Sequence, residues 1–118
     1  MKKKDDVQWT PVTAAIKRKF DAQYGNTCRI SRHDYSIVWC KRIVWHNGEC
    51  AGLHDPTNRL VYVIADDDAA STLVHEMAHG EFCASGLRQT TFWTRDLEEQ
   101  VVELMSQMIS HSFTLKKK

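Results

Sequence analysis

Apolar residues along this chain change their period twice. After a polar lead-in, Val12, Ala15, Ile16 and Phe20 recur at helical spacing, and Tyr24-Gly25-Asn26 offers a residue suited to positive φ at the helix end. Thr10-Pro11 resembles the start of that helix, because a proline near the first turn lacks only an N–H that would have no partner. From about residue 28 the pattern becomes one of strands. Residues 35–38 and 42–45 are dense in β-branched and aromatic side chains, His46-Asn47-Gly48 and Asp55-Pro56-Thr57-Asn58 are turn signals, and residues 59–65 lack alternation, as a strand covered on both faces does. At Asp66 the helical period returns. Asp66, Asp67 and Asp68 are N-cap types, a helix runs through about Cys83 to Ser85-Gly86, and Thr94 caps a last helix reaching about His111. The order predicts an α+β fold: N-terminal helix, small mostly antiparallel sheet, two further helices. The expectation is one domain over residues 1–118, with 1–9 and 114–118 as flexible tails.

Composition narrows the function classes. A chain of 118 residues supports one core, and a formal net charge of +1 gives no field to attract nucleic acid or anionic membranes. The lysines at residues 2–4 and 116–118 read as solvated ends, so nucleic acid is an unlikely partner. Its one local hint is the stretch from Trp39 to Trp45, which carries Lys41 and Arg42 between aromatics; Trp9, Trp39, Trp45 and Trp93 are otherwise expected in the core. No apolar run is long enough to span a bilayer, and Asp5 and Asp6 follow the first lysines where a secretory signal would be apolar, so the expected location is the cytoplasm. Cys28, Cys40, Cys50 and Cys83 form no C-x-x-C pair and are expected as free thiols.

The chemistry concentrates in His75-Glu76-Met77-Ala78-His79, an H-E-x-x-H pattern. On a helix, residues four apart lie one turn above each other, so both imidazoles can reach one ion. Glu76 sits about 100° around the axis, at the edge of that face, while Ala70, Leu73, Val74 and Met77 form the opposite, core face. A zinc site that performs chemistry usually takes a third protein ligand. Phe82 and Ser85 stand where a metzincin continuation would need other residues, so the candidates are Asp96, Glu98, Glu99 and Glu103 of the last helix. Helical phase puts Glu98 in the arc of Val101, Val102, Met105 and Ile109, hence inward, with Glu99 just off it.

These motifs resemble the gluzincin metallopeptidases, in which H-E-x-x-H is followed about twenty positions on by a ligand glutamate; nineteen residues lie between His79 and Glu99. Size and layout resemble the minimal zincin domains of phages and mobile elements, distantly of the ImmA/IrrE type, although Cys83 and Glu103 depart from that subgroup's pattern. The resemblance covers about residues 59–109. It implies a zincin-like fold, Zn²⁺ held by His75, His79 and Glu99 with Glu98 the alternative, and peptide hydrolysis by a metal-activated water with Glu76 as general base. It further implies Glu103 behind a ligand histidine, a peptide or protein substrate laid against residues 59–65, and a histidine or tyrosine oxyanion donor that the sequence does not identify; Tyr62, His54 and His111 are candidates, each read first as an ordinary strand, turn or helix-end residue. Rival expectations are a binding protein that keeps zinc on this scaffold only to fold and, less favoured, a nucleic-acid-associated protein.

Overall fold

The computed structural model describes residues 7–86 and 93–112, with side chains up to residue 107 in the last helix. Among them, three helices accompany a six-stranded mixed sheet. In chain order these are β1 (Gln8–Pro11), α1 (Ala14–Tyr24), β2 (Thr27–Ile30), β3 (His33–Trp45), β4 (Gly48–Glu49), β5 (Gly52–Asp55), β6 (Leu60–Ile64), α2 (Ala69–Ser85) and α3 (Arg95–Ser112).

Local chemistry explains most boundaries. Thr13, not Pro11, caps α1: its hydroxyl accepts from the Ile16 N–H, and Gly25 ends the helix at φ 89° with its N–H on the Asp21 carbonyl. The expected lead-in is correspondingly shorter. Gln8–Pro11 pairs antiparallel with β3, and a bulge at Thr10/Pro11 lets the proline sit at an edge where its missing donor matters least. Residues 1–6 and 113–118, which include most of the expected tails, lie outside the described residues. The strands expected at 35–38 and 42–45 are one continuous strand of 13 residues. It is bounded by two-residue turns with positive φ, Ser31-Arg32 before it and His46-Asn47 after it, so Gly48 opens β4 instead of closing the turn. A long tether holds the first turn, whose Ser31 N–H donates to Glu81 of α2 at 2.8 Å.

The sheet order is β1-β3-β6-β5, with β2 and β4 also pairing along β3. Only β3 and β6 run parallel. Alternation then sorts the side chains. Tyr35, Ile37 and Trp39 of β3 and Val61 and Val63 of β6 join Ile30, Ala69 and Leu73 in the main core, against which Phe20, Tyr24 and Met77 pack. Cys40, Ile43 and Tyr62 form a smaller cluster with Val7, Leu53 and Ile64. The poor alternation of residues 59–65 has its cause here: β6 has neighbours on both edges, and Val61, Tyr62 and Val63 are all buried.

The tryptophans divide. Trp39 is 3% exposed beneath α1, donating its indole N–H to Asp21, as expected of a core residue. Trp9 is exposed, and Trp45 and Trp93 line a cleft, contrary to the expectation of four core groups. With Trp39 buried and Arg42 paired to Glu49 at 2.6 Å, the stretch from Trp39 to Trp45 presents no stacking platform for bases. All four cysteines are free thiols. No helix among the described residues is long and apolar enough to cross a membrane.

Candidate metal centre

Two glycines allow α2 to lie where it does. A Cβ on Gly52 would stand 2.6 Å from Cγ2 of Thr72 and 2.9 Å from Cγ of Glu76, and one on Gly80 would stand 2.7 Å from Cγ2 of Ile30. Real side chains do not approach so closely, so only glycine lets β5 and β2 touch this face of the helix. Ala69, Leu73, Ala78 and Gly80 are buried and Met77 packs on the core, which leaves His75 and His79 on another side, facing α3.

Thr94 starts α3 by accepting from the Leu97 N–H at 3.1 Å. Its buried stripe is Glu98, Val102 and Ser106, at intervals of four. Met105, expected within the apolar arc, is instead exposed, and the side chains of Met108, Ile109 and His111 lie outside the described residues. Helical phase therefore placed Glu98 inward correctly. It serves there as a partner to a histidine: one carboxylate oxygen of Glu98 lies 2.6 Å from Nδ1 of His79, and the other accepts the Trp93 indole N–H at 3.1 Å.

Glu99 faces the opposite edge of that imidazole. Its carboxylate is 2.5 Å from Nε2 of His79 and 3.9 Å from Nε2 of His75, while the two Nε2 atoms are 3.2 Å apart. One donor atom from each of His75, His79 and Glu99 falls within a 4.8 Å group. Glu103 stands 3.6 Å from Nδ1 of His75, a looser form of the backing expected of it.

Glu98, 2.6 Å from Nδ1 of His79, favours a proton on that nitrogen, whereas Glu103 at 3.6 Å is beyond hydrogen-bond reach of His75. The two Nε2 atoms face each other with the Glu99 carboxylate beside them, 2.5 Å from Nε2 of His79. Two imidazole nitrogens and a carboxylate this close together can share either a proton, as in a His79–Glu99 ion pair, or a divalent cation. Two donors on one tetrahedral zinc, each at about 2.0–2.1 Å, are separated by roughly 3.3 Å, close to the observed imidazole spacing. The residues fit a divalent ion of borderline softness, and zinc suits a set of two imidazoles and a carboxylate.

Glu76 does not join the donor group. Partly buried under β5, its carboxyl is pushed up to about 7, chiefly by burial; His79 lowers it and the Glu99 charge raises it. A carboxyl that titrates near neutrality suits a group that takes and returns a proton.

A cleft of about 530 Å³ opens onto these residues. Trp45, Cys50, Leu53 and His54 line its sheet side, and Trp93 and Arg95 line the side of α3. Of the expected oxyanion donors, His54 is in the cleft. Tyr62 belongs to the smaller cluster away from it, because its neighbours in β6 take the helix-facing positions. Sequence reasoning missed Trp45, Trp93 and Arg95, which reach the cleft only through the packing of distant segments. Comparison with protein-family models, with curated proteins and with solved structures finds no match.

Proposed function

We propose that the chain is a zinc-dependent metallopeptidase of the zincin type. His75, His79 and Glu99 hold the ion and Glu76 is the general base. One observation carries this reading: His75 and His79 turn their Nε2 atoms toward each other and toward the Glu99 carboxylate, all within 4.8 Å. Bound zinc supplies Lewis acidity for a carbonyl and lowers the pKa of water to about 7. Glu76, with a carboxyl near 7 and no place among the donors, takes the water's proton and passes it to the departing amine.

The expected docking of substrate against residues 59–65 does not survive the topology, since β6 is hydrogen-bonded to β3 on one edge and β5 on the other. The outer strand on the helix side of the sheet order is β5. An extended peptide added there would run past Gly52, which abuts Glu76, and would use main-chain hydrogen bonds for register.

The test is metal content and hydrolysis measured on the same variants. Glu76→Gln retains one zinc per chain and the wild-type melting profile, while cleavage of a quenched-fluorescence peptide library falls roughly 10²–10⁴-fold. His75→Ala and Glu99→Ala lose the zinc. If wild type carries zinc and cleaves nothing, and chelation unfolds it, the ion serves folding alone.

A further inference from the structure

Arg95 is the first residue of α3 and lines the cleft. It lies one turn before Glu99 on the same side of the helix, so its guanidinium ranges along the wall that carries the third ligand. That position does not favour it for structural reasons, because a cation in a first turn opposes the helix dipole. Nor does a partner explain it. Arg95 forms no ion pair or hydrogen bond with any described residue, although Glu99 is four positions away; the Glu99 carboxylate is turned to the two imidazoles.

The carboxylates of the cleft face the histidines or the sheet. Glu98 has one oxygen on His79 and the other on Trp93, and Glu76 is packed under Gly52. Apart from the histidines, Arg95 is the one basic residue lining the cleft among the described residues. The indoles of Trp93 and Trp45 give the same space apolar walls that strengthen a charge-assisted contact by excluding water.

We propose that Arg95 is a specificity-determining residue that binds a substrate carboxylate within about two residues of the scissile bond. The distance follows from one helical turn of about 5.4 Å between Arg95 and Glu99, set against roughly 3.4 Å per residue of extended peptide. Favoured substrates are therefore peptides with Asp or Glu beside the cleaved bond, or peptides that end there in a free carboxylate. The inference rests on the metallopeptidase reading.

Matched peptides with Glu, Gln or Lys at the flanking positions, each made as the C-terminal acid and amide, test it with two readouts. In the wild type, kcat/KM for Glu over Gln peptides is about 10- to 100-fold. The ratio collapses to about 1 in Arg95→Gln and turns toward Lys in Arg95→Glu. The acid and amide series separate a side-chain carboxylate from a terminal one. Binding of the same peptides to zinc-loaded Glu76→Gln, followed by tryptophan fluorescence, gives the same order of affinities and keeps the question decidable if no peptide is cut. An Arg95→Gln variant that keeps the Glu preference, or weakens all peptides alike, overturns the proposal. Absence of zinc-dependent cleavage with the carboxylate preference intact in binding overturns the peptidase reading alone.

Discussion

The two walls of the candidate centre are built by different means. α2 delivers His75, Glu76 and His79 from a helix fixed to the sheet: Ala69 and Leu73 sit in the main core, and Gly52 and Gly80 allow backbone-close contact with β5 and β2. α3 delivers Glu99 from a helix whose principal neighbour is α2 itself, and its buried stripe carries two polar residues, Glu98 and Ser106. One wall is positioned by apolar packing and the other largely by the polar site it completes. A ligand pair held by a core is rigid before any ion arrives, whereas a wall held through His79–Glu98 contacts gains order from the ion.

The largest effect expected on this contrast comes from the glycines. Gly80→Ala forces Ile30 away from 2.7 Å and costs about 1–3 kcal/mol, read as a lowered denaturant midpoint, whereas Glu99→Ala on the exposed side of α3 changes the metal-free midpoint by less than about 0.5 kcal/mol. Equal losses would show that both walls are anchored alike. Next is Glu98→Gln. It keeps the shape but weakens the hold on His79 and drops zinc affinity about 10- to 100-fold by chelator competition, with little effect on the α2 side. Glu103→Gln is expected to do much less, because Glu103 is 59% exposed and 3.6 Å from His75.

A smaller effect separates the walls by pH. The Glu76 carboxyl titrates near 7 when folded, against an ordinary value of 4.5, so the metal-free folded state binds the extra proton. Its stabilising contribution is complete at acid pH and is lost as pH rises from about 4.5 through about 7. Melting temperature of the chelated wild type should fall across that window relative to Glu76→Gln, and identical profiles would remove burial as the cause of the shift. The subtlest test is hydrogen exchange with and without zinc. Amides of α3 should gain protection on loading while those of α2 change little.

Much of this was legible along the chain. The motif at residues 75–79, the Gly86 that ends its helix and the inward phase of Glu98 are local, since helical spacing alone decides which side chains share a face, whereas Asp68 stands at the N-cap without a capping hydrogen bond from its side chain. The errors have physical causes too. Pro11 satisfied the rule for a helix start, but a strand edge tolerates a missing donor as well, and pairing with β3 decided between them. Trp45 and Trp93 obeyed the general preference of large aromatics for the interior, yet Trp45 ends β3 and Trp93 precedes the α3 cap, and both border the cleft.

Taken alone, the order of residues determined which helix presents two imidazoles on one face, and that an acidic helix follows at the right remove. It could not determine which carboxylate turns to which nitrogen, because Glu98 and Glu99 differ by one step of about 100° and only the crossing of α3 over α2 converts that angle into a 2.6 Å contact with Nδ1 or a 2.5 Å contact with Nε2 of His79. Nor could it identify the strand left open to a peptide. That depends on β6 being flanked by β3 as well as by its neighbour β5, and the parallel pairing of residues 36–40 with 60–64 is one that no local period encodes.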